Sequence, residues 1–257
     1  MSYSILSHYN DEILSESFAK AQPFPHLIID HFFKEEVAEA LCDVFPNADE
    51  AFWYQYNNRI EIKLACNQIE NLPPYILGIL TKLNSDHYLK FFSQLTGITG
   101  LKSDPLMHGG GMHCIKPGGK LDVHIDYSIH PILKLERRLN LIVYLNKNWQ
   151  ADYGGYLELW EKDMSQCAKK ILPIFNRAVI FATDDTSWHG HPEPLTSPLG
   201  ICRKSLALYY LTEPRPATKE RLRAQFVPRP HDPYDAELDK IRQLRSGNET
   251  AKDAYRV

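Results

Sequence analysis

The chain has 257 residues, of which 44% are hydrophobic, 24% charged and 11% aromatic, with 29 Lys+Arg against 32 Asp+Glu and 11 His. Those proportions exclude global disorder and suffice for the packed core of one large domain. A formal net charge of -3 gives no electrostatic reason to bind nucleic acid or an anionic membrane, so neither partner is expected.

No apolar run approaches the roughly 18 to 20 residues of a membrane helix. The first eight residues lack both the basic and the apolar parts of a secretory signal. The five cysteines, Cys42, Cys66, Cys114, Cys167 and Cys202, are far apart and form no C-x-x-C pair, which argues against a disulfide framework. A cytoplasmic protein is expected.

In chain order, residues 1–104 read mainly as helices that buttress something else. Lys34 to Phe45 places Val37, Ala38, Leu41, Val44 and Phe45 on one helical face, and Pro46 closes it. Pro73-Pro74 starts a second helix carrying Ile76, Leu77, Ile79, Leu80 and Leu83, and a third spans about Asp86 to Leu95. From about Leu106 the texture changes to short apolar runs broken by Gly, Pro and Asn. Eight strands are predicted: Met107–Pro117, Lys120–Asp126, Leu139–Asn146, Tyr156–Trp160, Lys170–Phe175, Ala178–Thr183, Ser187–Pro192 and Arg203–Thr212. A jelly roll over 105–213 is the simplest eight-stranded solution. The tail, 214–257, is polar, with 10 Lys+Arg against 7 Asp+Glu. Asp232 as N-cap, Pro233 at the first helical position, the stripe Leu238, Ile241, Leu244 and a stop at Gly247 predict one terminal helix. The fold class is therefore α+β: a double-stranded β-helix with N-terminal helices and a C-terminal helix.

Six of the eleven histidines, His108, His113, His124, His130, His189 and His191, fall within 84 residues. In Val123-His124-Ile125-Asp126 the two polar residues share one face of a strand and can share one metal. Chance alone supplies about 0.7 such H-x-D tripeptides at this composition, so the motif needs company. It comes 65 residues later as His189, in Ser187-Trp188-His189-Gly190-His191-Pro192. Then Arg203-Lys204-Ser205-Leu206-Ala207-Leu208-Tyr209 puts Arg203 and Ser205 on the inner face of an otherwise apolar strand, where an arginine is costly unless it meets an anion. Two His and one carboxylate make the facial triad of non-heme iron oxygenases, and a buried Arg beside a hydroxyl makes a carboxylate clamp. His191 competes with His189 as the third ligand, because His191-Pro192-Glu193 is itself an H-x-E tripeptide. Asp122 shares parity with His124, and Arg138 with Tyr144, so both could face the cavity.

These segments, with Ile142-Val143-Tyr144-Leu145-Asn146-Lys147-Asn148-Trp149 and Gly154-Gly155-Tyr156-Leu157-Glu158-Leu159, resemble the Fe(II)/2-oxoglutarate-dependent dioxygenases of the prolyl 4-hydroxylase-like branch. The resemblance covers about Met107 to Tyr210. It implies His124, Asp126 and His189 as catalytic iron ligands. It implies Arg203, helped by Ser205 and Tyr144, as the partner of the distal carboxylate of 2-oxoglutarate, with Leu157 lining the same pocket. The cofactors implied are Fe(II), 2-oxoglutarate as co-substrate and O2. One position departs from the hypoxia-factor prolyl hydroxylases: the co-substrate tyrosine on the strand before H-x-D is missing from His113-Cys114-Ile115-Lys116-Pro117.

The activity implied is hydroxylation of an unactivated C–H bond with release of succinate and CO2, on a prolyl residue of a protein or peptide. The alternatives are the same chemistry on a free amino acid, sugar or natural product, or a cupin-like metal enzyme that does not use 2-oxoglutarate.

Overall fold

The computed structural model describes residues 4–255. Four helices, α1 (Asp11–Lys20), α2 (Glu35–Asp43), α3 (Pro74–Leu83) and α4 (Asp86–Thr96), alternate in the first hundred residues with three strands, β1 (His26–Ile29), β2 (Tyr54–Asn58) and β3 (Glu61–Cys66). The remainder is β4 (Gly111–Ile115), β5 (Lys120–Ile125), β6 (Glu136–Tyr144), β7 (Leu157–Trp160), β8 (Cys167–Ile171), β9 (Arg177–Ala182), β10 (His189–His191), β11 (Arg203–Thr212), β12 (Gln225–Phe226) and α5 (Ala236–Ser246). The strands run in the order β1-β9-β6-β11-β4-β3-β5-β10-β7-β8, with β2 added beside β3 and β12 beside β5. The sheet is antiparallel and curls into a jelly roll.

All eight predicted core strands form. The first hundred residues are less helical than expected, because β1 pairs with β9, and β3 bridges β4 to β5. The N-terminal segment is thus built into the sheet as well as laid against it.

Side-chain alternation decides which face of the sheet meets the helices. Leu139, Leu141 and Val143 on β6, and Leu206, Leu208 and Tyr210 on β11, join Leu41, Ile76, Leu80, Leu83 and Phe92 in the large apolar core. Burying a residue of this size contributes about 1.5–3 kcal/mol, so this outer face supplies most of what holds the scaffold rigid. The opposite parity, Asn140, Ile142, Ser205, Ala207 and Tyr209, faces the interior of the roll.

The C-terminal helix begins later than the sequence suggests. Asp232 is occupied by Arg229, whose backbone N–H and Nε donate to it at 2.9 and 3.0 Å. Asp235 is free to cap, and its Oδ1 accepts from the N–H groups of Glu237 and Leu238 at 2.9 and 3.0 Å. Among the described residues, no helix is long and apolar enough to cross a membrane.

Candidate metal and dicarboxylate site

The interior of the roll holds a cavity of about 180 Å³. A water molecule takes up roughly 30 Å³ of the liquid, so the space suits a small organic molecule. His124 reaches it from β5, Asp126 from just beyond the end of β5, and His189 from the start of β10. Antiparallel pairing sets His189 directly opposite His124, and their rings lie 4.5 Å apart. The nitrogen and oxygen atoms that the three side chains offer all lie within 4.8 Å of one another. His124 Nε2 is 3.7 Å from Asp126 Oδ1, and His189 Nε2 is 3.5 Å from Asp126 Oδ2.

The far side of each imidazole fixes its tautomer. Nδ1 of His124 bonds the carbonyl of Asp122 at 2.9 Å, and Nδ1 of His189 bonds the carbonyl of Ser187 at 2.8 Å. Each Nδ1 therefore carries the proton, and each Nε2 lone pair faces the centre, as metal binding requires. Burial pushes the His189 pKa down to about 4 against the opposing pull of Asp126, which keeps the ring neutral at physiological pH. Burial alone would raise the Asp126 carboxyl. The charge of Arg137, followed by His189 and His124, overrides it and holds Asp126 well below the usual carboxylate range. Two neutral imidazoles and an ionised carboxylate fit a divalent iron with three positions left open.

Asp126 is itself clamped. Arg137 Nη2 lies 2.8 Å and Asn140 Nδ2 2.9 Å from Oδ2, and Arg137 Nε donates to Asn140 Oδ1 at 2.8 Å. The Arg137 guanidinium sits 3.3 Å over the Tyr209 ring and 4.8 Å from that of Tyr127. Parity from the sequence pointed to Arg138. A bulge in the β6–β11 pairing, where Leu139 and Arg137 face consecutive residues Tyr210 and Leu211, expels Arg138 and brings Arg137 inward.

Asp122 misses the cavity for the same kind of reason. The β5–β10 register shifts between His189 and His191, so Leu121 and His124 both line the cavity, while Asp122 binds Lys120 at 2.7 Å. Gly190 is the hinge of this arrangement: a Cβ there would lie 2.9 Å from the carbonyl oxygens of both Leu121 and Asp122.

Arg203 lies at the other end of the cavity, only 5% exposed. Its Nε donates to Gly155 O at 2.8 Å and its Nη2 to Tyr144 Oη at 3.2 Å. Among the described residues it has no carboxylate partner, and three of its five N–H groups remain for a ligand. Ser205 and Leu157 line the cavity beside it, while Tyr144 is fully buried beneath, with its hydroxyl still able to donate. Gly155 adopts φ +68°, and a Cβ there would come within 2.7 Å of Leu195 and 3.0 Å of the Arg203 side chain. The double glycine thus makes room for the arginine.

All seven residues singled out in the sequence, His124, Asp126, His189, Arg203, Ser205, Tyr144 and Leu157, converge here. So do His191, which the sequence offered as a rival third ligand, His108 and His113 of the same histidine cluster and Tyr127 just after the H-x-D, together with residues that the sequence did not single out: Arg137, Tyr56, Lys63 and Glu61, with Arg223, Phe226 and Arg245 from the tail.

Comparison with known proteins agrees with this geometry. Residues 110–211 match the family model described as "2OG-Fe(II) oxygenase superfamily". The chain also resembles prolyl 3-hydroxylase OGFOD1 of Mus musculus, at 27% identity over 225 residues covering 84% of this chain and 38% of the relative. The chain therefore spans less than half the length of that curated relative. Among solved structures, a Pseudomonas putida prolyl-4-hydroxylase matches with a TM-score of 0.53 at 17% identity, covering 78% of this chain and all of that one. A Trichoplax adhaerens prolyl hydroxylase, solved in complex with a hypoxia-inducible-factor oxygen degradation domain peptide fragment, matches with a TM-score of 0.54 at 22% identity, covering 78% and 90%. Both share the jelly-roll fold.

Proposed function

We propose that the chain is an Fe(II)- and 2-oxoglutarate-dependent dioxygenase that hydroxylates a prolyl residue of a protein or peptide. The observation that carries the reading is the pairing of a His-Asp-His triad with a buried, carboxylate-free arginine across one small cavity. His124, Asp126 and His189 would hold the iron. Arg203, with Tyr144 and Ser205, would bind the distal carboxylate of 2-oxoglutarate, and Leu157 would pack against its carbon chain. When bound, iron and 2-oxoglutarate would let O2 act as the oxidant, with two electrons from the co-substrate and two from the substrate C–H bond, so that one oxygen atom would enter the product and the other succinate, with CO2 released.

The chain's own contribution is position and dryness. The outer core holds β6 and β11 rigid, the carbonyls of Asp122 and Ser187 fix the two imidazoles, and Arg137 with Asn140 fixes the carboxylate. Phe226 on β12 covers His124, ring to ring at 5.1 Å, and helps exclude water. In this reading 105–213 carries the chemistry, while 1–104 and 214–257 frame it from the two sides. Five free cysteines fit a reducing, cytoplasmic setting.

Aromatic walls from Tyr56, Tyr127 and Tyr209 suit a pyrrolidine ring. A second reading, a free amino acid, is favoured by Arg223, which lines the cavity and forms no ion pair among the described residues. Anaerobic titration with Fe(II) and 2-oxoglutarate, watching for the visible metal-to-ligand charge-transfer band, tests the class. The band should form with wild type and vanish in the His124→Ala/Asp126→Ala double variant; its absence from wild type defeats the proposal. Succinate release on prolyl peptides against free amino acids then separates the two substrates.

A further inference from the structure

His191 is almost fully buried, and neither ring nitrogen has a hydrogen-bond partner among the described residues. It sits two residues after His189 on β10, separated by the glycine that presses this strand onto β5, and its side chain lines the same cavity. Around it stand Arg203, Lys63, His124 and His113, none of which can accept as a carboxylate would. A neutral imidazole always carries one N–H. Buried without an acceptor, that donor destabilises the fold, and a group left in this state marks a place where a ligand completes the structure.

We infer that His191 is a binding residue for the 2-oxo dicarboxylate, donating a hydrogen bond to a carboxylate oxygen held between the triad and Arg203. The inference rests on the 2-oxoglutarate reading and deepens it. It also accounts for a feature of the sequence: the strand before H-x-D offers no tyrosine to this cavity, only His113 and Ile115. The missing donor is supplied instead from β10, on the other side of the metal strand β5. The ligand's second contact is then made by a residue next-but-one to a metal ligand, so strand β10 alone couples metal and co-substrate positions.

The test is calorimetric titration of 2-oxoglutarate into Mn(II)-loaded protein, which needs no turnover. His191→Leu should raise the Kd for 2-oxoglutarate at least tenfold, the loss expected for a hydrogen bond to a charged group. Mn(II) affinity measured without co-substrate should stay within about twofold. His191→Gln, which keeps a donor, should recover most of the affinity, and His191→Met provides the apolar comparison if the leucine variant does not fold. Equal 2-oxoglutarate affinity in wild type and the apolar variant overturns the inference, as does a loss confined to the hydroxylated substrate. If wild type itself binds no 2-oxoglutarate, the functional reading fails and this assignment falls with it, whereas binding by wild type that the apolar variant matches overturns this assignment alone.

Discussion

Arg137→Met removes the cation that holds Asp126 while keeping much of the side chain's volume. Four contacts go with it: the 2.8 Å bond to Asp126 Oδ2, the 2.8 Å bond to Asn140, and the guanidinium 3.3 Å above Tyr209 and 4.8 Å from the Tyr127 ring. Breaking a buried ion pair from one side costs about 3–5 kcal/mol because the remaining charge is left without compensation. Asn140 still donates to Asp126 at 2.9 Å, which places the expectation at the lower end of that range, about 3 kcal/mol, for the metal-free protein. A bound divalent cation would itself compensate Asp126, so the metal-loaded protein should lose less. Removing a residue that orients a ligating carboxylate typically weakens metal binding about 10- to 100-fold. The assays are denaturant unfolding with and without Mn(II), and Mn(II) affinity by electron paramagnetic resonance. Arg137→Lys keeps the charge but not the planar fork, and should fall between. If Arg137→Met binds Mn(II) within twofold of wild type and unfolds at the same denaturant concentration, the clamp has no role in positioning Asp126.

Gly155→Ala forces a positive-φ residue to carry a Cβ 3.0 Å from the Arg203 side chain; co-substrate KM should rise several-fold with metal affinity unchanged, and an unchanged KM would show that Arg203 is free to move. Gly190→Ala places a Cβ 2.9 Å from two β5 carbonyls and should cost both stability and Mn(II) binding, read by thermal unfolding and calorimetry. Glu61, which binds Lys63, Arg245 and Tyr255, has a carboxyl that burial pushes up but the charges of Lys63 and Arg245 and the hydrogen bonds donated by Arg245 and Tyr255 pull down, from 4.5 to about 2. A depressed folded value stabilises above the unfolded one, so its contribution of about 3 kcal/mol is complete above pH 4.5 and is lost as pH falls through about 2. Glu61→Gln should therefore be less stable at pH 7 and show a flatter stability profile between pH 4.5 and 2 than wild type.

The jelly roll was legible because the segments from β4 to β11 are short apolar runs bounded by Gly, Pro and Asn. The triad and Arg203 were legible because His124 and Asp126 lie past the β5–β10 bulge, His189 pairs directly with His124, and Arg203 sits in regular pairing with β4, so there parity in the sequence is parity in space. Parity failed at Asp122 and Arg138, and in both cases a bulge intervenes, inverting which neighbour points inward. A bulge adds one residue to one strand of a pair, so it is a property of two segments and cannot be read from either alone. The cavity walls from Glu61 and Lys63 on β3, and from Tyr56 on β2 beside it, were hidden for a related reason: β3 reaches the site only by pairing with strands some 50 to 60 residues away. Arg223, Phe226 and Arg245 lie in a tail whose polar composition concealed its contact with the metal strand.

The chain as a whole carries -3, yet the ionisable lining of the cavity has the opposite sign. Five cations, Lys63, Arg137, Arg203, Arg223 and Arg245, face two anions, Asp126 and Glu61, while burial keeps His113, His189 and His191 neutral. Local pairing uses up part of the excess: Arg137 is committed to Asp126, and Lys63 and Arg245 to Glu61. Among the described residues, what remains unmatched is Arg203 at the closed end and Arg223 on the lining contributed by the tail. A divalent metal at the triad would add further positive charge between them. An apolar pocket so charged is stable only if something anionic completes it, and a dianion that spans from metal to Arg203 does so with both of its ends. Arg223, contributed by the tail, would then serve the second substrate, and replacing it with Gln should change affinity for an acidic substrate while leaving 2-oxoglutarate binding as it was.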